Sequence, residues 1–205
     1  MNLWLIRHGE TDWNVEGRMQ GQADTPLNAR GLEQAEQLAA RLAAETQIDA
    51  LYTSPLARAY ATAQILARRL NLTPIADQRL VEHGIGDLEG LTFAEVEARY
   101  PELVRAWRES RTRVPLPGEE PLSELRARIV GAMDDIRARH VGANVAVVSH
   151  GAALRLFVGT IMGLDLEQRL PFWFDNASVS LVEWSNPFPR VRLLNDTCHL
   201  RDGHH

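Results

Sequence analysis

The sequence predicts a three-layer α/β/α sandwich with a mostly parallel sheet and a helical insertion, and two observations carry that expectation. Short apolar or β-branched runs alternate with segments of helical period through most of the 205 residues, which is the pattern of a sheet covered on both faces. The stretch from about 91 to 140 is different: it carries helical signals, interrupted by the arginine-rich, proline-containing run 108–121, and no strand signal. It reads as a cap on the sheet, inside one domain spanning 1–205.

Residues 2–7 form a short buried strand, stopped by Gly9. Asn28 caps a helix through about Glu45, with Leu32, Ala35, Leu38, Ala39 and Leu42 at helical spacing. Ile48 to Thr53 is a strand ended by Ser54-Pro55, and the helix after it carries Leu56, Ala59, Ala63, Leu66 and Leu70 on one face. A weaker extended piece follows Pro74, from Ile75 to Leu80. Val145 to Ser149 is a nearly continuous β-branched run, expected to be buried on both faces. His150-Gly151 ends it, and a helix runs from about Ala152 to Met162. Ser178 to Trp184 and Val191 to Leu194 are two further strands, joined by a turn at Asn186-Pro187-Phe188-Pro189.

Composition removes several functions. The formal net charge is −5, from 22 Lys and Arg against 27 Asp and Glu, which argues against general nucleic-acid binding. Any anion site must be assembled locally from a few converging cations. The longest apolar stretch, Ala152 to Leu164, is broken by Arg155 and falls short of a membrane span. The N-terminal run lacks the basic start and apolar length of a signal peptide, so a cytoplasmic location is expected. The single cysteine, Cys198, allows neither an intrachain disulfide nor a thiolate metal cluster. The terminal Gly203-His204-His205 is assigned no function.

Polar groups of one kind collect where three strands end. The first strand delivers Arg7-His8-Gly9, the second Ser54-Pro55 with Arg58 in the next helical turn, and the Val145 strand delivers Ser149-His150-Gly151 at another helix start. Taken singly, Arg58 is an ordinary surface arginine, His150 a structural histidine, and Arg7-His8 a strand terminus. Together, beyond the carboxyl ends of strands in an α/β sheet, they make an anion site. Guanidinium forks suit phosphate better than a simple carboxylate does.

These motifs resemble the histidine phosphatase superfamily, the phosphoglycerate-mutase-like fold. The resemblance runs through Leu5-Ile6-Arg7-His8-Gly9-Glu10-Thr11 with Asn14, Gln20-Gly21, Asp24-Thr25-Pro26-Leu27, Ser54-Pro55-Leu56-Ala57-Arg58-Ala59, Leu80-Val81-Glu82 with Gly86 and Glu89-Gly90, and Val147-Val148-Ser149-His150-Gly151. It implies that His8 is the nucleophile and becomes a phosphohistidine, and that Glu82 is the general acid. It implies further that Arg7, Arg58 and His150 bind the phosphoryl oxygens with a contact from Asn14, and that Gln20, Gly21 and the Gly151 backbone lie beside the substrate. Glu10 and Glu89 are expected to order loops, and His83 has no assigned role.

The residue types suit that reaction. Neutral imidazole attacks without first losing a proton, and neighbouring arginines bias His8 toward the neutral form. Two guanidiniums, with His150 as a third donor when protonated, stabilise the charge spread over the transferring phosphoryl group. No metal or other cofactor is required.

Three functions fit: a phosphomonoesterase acting on a small phosphorylated metabolite, a cofactor-dependent phosphoglycerate mutase, and a non-catalytic binding module. Only 67 residues lie between Glu82 and His150, and no Arg-Arg pair followed by a Ser-Tyr-Asp run occurs there. By resemblance this favours the phosphatase. Arg105, Arg108, Arg111 and Arg113 are spaced differently and serve either a solvated helix face or the pocket rim. Because every expected chemical group is present, the binding module ranks last.

The ending Asp175-Asn176-Ala177-Ser178 with Leu194-Asn195-Asp196-Thr197-Cys198-His199-Leu200 resembles the metal-independent phosphoserine phosphatases. Phosphoserine is therefore the first named substrate, with a tail returning to the pocket to select it. Ile85, where that group would place a substrate-facing histidine, keeps alpha-ribazole and sugar-phosphate phosphatases in view. An edge strand near the C-terminus could pair into a homodimer, the commonest closed assembly. Phosphate release is expected to persist in excess EDTA; loss of turnover on chelation, restored by a divalent ion, would refute the metal-free scheme.

Overall fold

The computed structural model describes residues 1–185 and 188–200. Asn186-Pro187 of the expected turn, and Gly203-His204-His205, lie outside the described residues. In chain order the elements are β1 (Asn2–Arg7), α1 (Asp12–Val15), α2 (Ala29–Glu45), β2 (Ala50–Thr53), α3 (Ala57–Leu70), β3 (Pro74–Ala76), α4 (Phe93–Arg99), α5 (Pro101–Glu109), α6 (Leu122–Arg139), β4 (Asn144–Ser149), α7 (Gly151–Ile161), β5 (Val179–Ser185) and β6 (Phe188–Asp196). Single 3-10 turns occupy Gln78–Leu80, Gly86–Leu88 and Cys198–Leu200.

The six strands form one mixed sheet in the order β3-β2-β4-β1-β5-β6. Strands β3, β2, β4 and β1 pair in parallel, whereas β5 is antiparallel to both β1 and β6. Period-two alternation along β1 divides the core. Leu3 and Leu5 pack with Val145 and Val147 of β4 under α6 and α7. Trp4 and Ile6 pack with Ala146 and Val148 under α2 and α3. Helices thus cover both faces, which explains why β1 and β4 read as unbroken apolar runs.

Local signals set the helix boundaries. Asn28 caps α2 by accepting the Gly31 N–H at 2.8 Å. Asn71 ends α3 in the left-handed conformation, at φ 55°. The piece expected as extended from Ile75 to Leu80 pairs only as far as Ala76, because the Asp77 side chain then accepts from Arg79 N and starts a 3-10 turn.

The helical segment expected over about 91–140 divides in two. Helices α4 and α5 build a cap with its own small core of Leu88, Leu91, Val96 and Val104. Helix α6 is instead a layer of the sandwich: Leu125, Ile129, Ala132, Met133 and Ile136 make one stripe against the sheet. That stripe lies at i, i+4, i+7, i+8 and i+11, the period of a helix packed on a flat apolar surface. No helix among the described residues is long and apolar enough to cross a membrane.

Ile129 is fully buried in the main core. Ile129→Ala should therefore lower the global urea midpoint, at a cost of about 2–5 kcal/mol. A midpoint unchanged from wild type would place α6 in a separately folding cap.

Candidate active site

The three expected strand ends are neighbours and in register. Strand β4 lies between β2 and β1, with Arg7 opposite Ser149 and Thr53 opposite Val148. Bonds from His8 N to Ser149 O (3.1 Å) and from Ser54 N to Val148 O (2.9 Å) carry the ladder one residue past the strand ends. His8, Ser54 and His150 are thereby delivered to one place by backbone geometry alone.

His8 is 2% exposed. Its Nδ1 lies 2.7 Å from Gly9 O. A carbonyl only accepts, so Nδ1 carries the proton and the lone pair of the neutral ring is on Nε2. Arg58 Nε–H donates to that Nε2 at 3.2 Å. Burial, then Arg7 and Arg58, hold the His8 pKa well below the ordinary histidine range, against the hydrogen bond to Gly9.

The loop after His8 is packed without tolerance. A Cβ on Gly9 would stand 2.4 Å from Gly31 O, and one on Gly31 2.1 Å from Glu10 O. Gly9 N donates to Thr62 Oγ1 at 3.1 Å, and Thr62 donates on to Arg58 O at 2.8 Å. Glu10 accepts from Asn28 Nδ2 at 3.0 Å and so orders this loop, as expected.

The two guanidiniums are held by carbonyls. Arg58 gives its remaining nitrogens to Ala23 O (2.7 Å) and Gly21 O (2.8 Å), so it does not stand as a free fork. Arg7 Nη1 donates to Phe174 O at 2.5 Å, while its buried Nε has no partner. Burial lowers both arginine pKa values, with Glu82 the first opposing charge for each.

His150 is fully buried, its ring centroid 5.1 Å from that of His8. His150 Nε2 lies 2.8 Å from Ser54 Oγ, which also accepts Leu56 N–H at 3.3 Å. Among the described residues the Ser54 hydroxyl has no acceptor other than Nε2, so donating there satisfies its proton and leaves the ring proton on Nδ1, a buried atom without a partner. Burial, then Arg58, His8, Arg7 and Arg128, push the His150 pKa well down. Its donor is accordingly a neutral Nδ1–H and not the imidazolium considered from sequence.

The remaining expected residues gather around these. Asn14 Oδ1 accepts from Thr11 N, Thr11 Oγ1 and Asn176 Nδ2 at 3.0–3.1 Å, which fixes the amide and leaves its NH2 as the free end. Gln20 Oε1 accepts from Thr25 Oγ1 at 2.6 Å, so its amide is likewise oriented. Gly21 adopts φ +51°, and a Cβ there would meet Glu89 Oε1 at 2.3 Å. Glu89 instead accepts Gln22 N–H at 2.8 Å and orders the loop. Arg7, Gln20, Gly21, Glu82 and Gly151 line one cavity of about 280 Å³.

Glu82 sits at the start of α7. Its carboxylate accepts from Ala152 N (3.1 Å), Ala153 N (3.0 Å) and His83 N (2.8 Å), a placement that the dipole of the helix N-terminus favours. The brace behind it was missed from sequence. Arg128 of α6 donates to the carbonyls of Arg79, Val81 and Glu82 at 2.7–2.9 Å and to both oxygens of Glu120. Burial pushes the Glu120 pKa up, but bonds from Arg128 and Gly84 hold it below the usual carboxylate range. His83, unassigned from sequence, is buried and donates from Nε2 to Glu120 O at 2.8 Å, tying the Glu82 loop to the cap.

Asn176 and Ala177 also escaped individual notice. Asn176 Nδ2 reaches His8 O and Gly9 O, both at 3.2 Å, and Ala177 N donates to His8 O at 3.0 Å. The described part of the tail, through Leu200, does not line this cavity. Asp196 and His199 bind Arg41 of α2, and His199 Nε2 meets Ala177 O at 3.1 Å, so this segment packs against the residues that support the loop after His8. Of the four arginines of the cap, Arg108 and Arg113 reach the rim of a larger neighbouring cavity.

Residues 3–197 match the model of the histidine phosphatase superfamily (branch 1). The chain belongs to the histidine phosphatase superfamily. It is 38% identical over 98% of its length to phosphoserine phosphatase 1 of Hydrogenobacter thermophilus, covering 94% of that protein. A mycobacterial glucosyl-3-phosphoglycerate phosphatase superposes with a TM-score of 0.84 at 32% identity, over 95% of this chain and 98% of that one. Alpha-ribazole phosphatase from Shigella flexneri superposes with a TM-score of 0.84 at 30% identity, over 96% and 97%. Family and relatives together make this member a phosphatase of the phosphoglycerate-mutase-like fold.

His8 and His150 are neutral in the fold and bind protons more readily when unfolded. Stability is then fully present above the unfolded histidine pKa of about 6.5 and lost as pH falls below it. Urea midpoints measured from pH 5 to 7.5 should rise with pH, by of order 1 kcal/mol per unit for each histidine near the lower end. The slope should shrink in His150→Gln; an unchanged slope would mean that His150 is not the group responsible.

Proposed function

We propose that this phosphatase is a metal-independent phosphomonoesterase that hydrolyses a small phosphorylated metabolite through a phosphohistidine on His8. The observation that carries the reading is the tautomer lock: Nδ1–H is committed to Gly9 O at 2.7 Å, which aims the lone pair of a neutral, buried Nε2 at the anion site.

Substrate phosphate displaces the Arg58 Nε–H from Nε2 and takes that donor for itself. The other donors within reach are the unpartnered Arg7 Nε, the unpartnered His150 Nδ1–H and the free amide end of Asn14. His8 Nε2 then attacks phosphorus and the P–O ester bond breaks. Glu82, in its carboxylic acid form, gives its proton to the departing oxygen. Water next attacks the phosphohistidine, the P–N bond breaks, and the Glu82 carboxylate takes the proton that water releases. The balance is ester plus water giving alcohol plus phosphate, with His8 and Glu82 restored. Positive charge comes from guanidiniums fixed by carbonyls, so the site needs little reorganisation as charge shifts toward the leaving oxygen.

Phosphoserine is the first substrate to assay, on the likeness to the Hydrogenobacter enzyme over nearly the whole chain. Among the described residues Ile85 lines the cavity with Trp107 of the cap and Ala152 and Arg155 of α7, which are in position to select the alcohol.

Wild-type protein quenched during turnover of a 32P-labelled ester should carry acid-labile label, absent in His8→Ala; label retained in that variant would overturn the nucleophile assignment. Glu82→Gln should lower kcat/KM for alkyl phosphates by about 10²–10⁴ and for p-nitrophenyl phosphate far less, because that leaving group needs no proton. Equal losses would remove Glu82 from the acid role.

A further inference from the structure

The cavity lined by Arg7, Gln20, Gly21, Glu82 and Gly151 shares a wall with a larger chamber of about 780 Å³. Arg155, one helical turn into α7, lines both, together with Trp107 and Trp173. Its guanidinium carbon lies 5.0 Å from the centre of the exposed Trp173 ring. The other arginines that line the chamber are engaged: Arg113 with Glu119, Arg108 with Glu97, and Arg169 with Trp107 O. Among the described residues Arg155 has neither a hydrogen-bond acceptor nor a carboxylate within ion-pair distance. It is half-buried, and burial lowers its pKa, with Glu82 the opposing charge. A partly desolvated guanidinium without an acceptor is ready to take one from a ligand.

We propose that Arg155 is a specificity-determining residue that binds a carboxylate on the alcohol portion of the substrate, so that the preferred esters are phosphorylated hydroxy or amino acids. This rests on the phosphomonoesterase reading above and narrows it to a substrate class. With its guanidinium carbon over the Trp173 ring, Arg155 is covered on one side by an aromatic surface that takes none of its N–H groups as a hydrogen-bond acceptor would. A guanidinium fork matches a coplanar carboxylate, which accepts two parallel N–H bonds. A second phosphate group would call for more than one free cation, and among the described arginines lining the larger chamber Arg155 alone has no partner. Arg155 and Glu82 are carried by, or held against, the first turns of the same helix, so a carboxylate on Arg155 sits near the ester oxygen that Glu82 protonates. Larger substituents have room to continue into the chamber between Trp107 and Trp173.

Two matched pairs isolate the carboxylate: O-phosphoserine against O-phosphoethanolamine, and 3-phosphoglycerate against glycerol 3-phosphate. Wild-type enzyme should prefer the carboxylated member of at least one pair by 30-fold or more in kcat/KM. In Arg155→Met that preference should fall to within about threefold, with the loss for the carboxylated ester mainly in KM. Arg155→Lys, which keeps the charge without the fork, should lie between them; it also guards against misreading a folding defect. Absence of preference in the wild type, or equal losses on both members of a pair in Arg155→Met, overturns the inference while leaving the phosphatase reading intact. Failure of the wild type to release phosphate from any of these esters or from p-nitrophenyl phosphate overturns both.

Discussion

Two arginines beside a neutral histidine, Arg58 buried and Arg7 half-buried, with no carboxylate among the described residues pairing them, set the terms on which the rest of this site is built. A desolvated guanidinium needs acceptors, and a carboxylate in contact would neutralise the field that the phosphoryl group is to meet. The fold supplies carbonyl oxygens. Arg58 is tied to Gly21 O and Ala23 O and Arg7 to Phe174 O. Dipoles hold these cations in position without cancelling their charge, and burial, followed by the same charges, pushes the pKa values of His8 and His150 down. The irregular backbone at 20–25 and 174–177 follows from this requirement, since carbonyls committed to a ladder or a helix could not turn inward. Gly21 is needed there for its positive φ and because Glu89 occupies the space a side chain would take.

Glu82 answers to the opposite constraint. A negative group must sit close to the cationic cluster without collapsing onto it. Three N–H donors, two of them from the free end of α7, hold its oxygens away from Arg7 and Arg58. The loop that carries it has no regular structure of its own, so its carbonyls are collected by Arg128, and Arg128 is in turn gripped by Glu120. That arrangement links the acid to α6 of the sandwich and to the last residues of the cap. A substitution at Arg128 or Glu120 therefore reaches the chemistry without touching substrate.

Much of this was legible in the chain because it is written in local patterns. Strand ends, an Asn cap, a β-branched run and glycines at forced close approaches are short-range features, and β1, α2, β4 and α7 fall where they indicate. The cluster of Arg7, His8, Arg58 and His150 follows once the strands are parallel and adjacent. What stayed hidden is long-range in sequence. Nothing around Arg128 distinguishes it from a solvated helical arginine, since its partners lie 46 to 49 residues earlier. Asn176 stands in the sequence only as one residue of the ending Asp175-Asn176-Ala177-Ser178, and its contacts with His8 and Gly9, some 170 positions away, leave no local mark. Helix α6 was drawn into the cap because it follows a proline-rich break, although its apolar stripe already had the spacing of a sheet-packing helix. A motif gives neighbours in sequence but no direction in space, and Arg41 draws Asp196 and His199 of the tail onto α2.

The cavity has two ends of different construction. The phosphoryl end is built from residues at the exits of three parallel strands, where sheet hydrogen bonds on both sides leave little freedom, and preorganisation there lowers the cost of stabilising the transferring group. The alcohol end is built from Trp107 of the cap, from Trp173 in the stretch before β5, and from Arg155, which reaches across from α7. The cap holds itself together with a core separate from the two cores of the sandwich. Changes of side chain at that end can therefore alter which alcohol is accepted while the nucleophile and its cations stay in place. In a fold that serves several phosphatases with different named substrates, that separation gives a physical reason why one scaffold can retain its reaction and change its substrate.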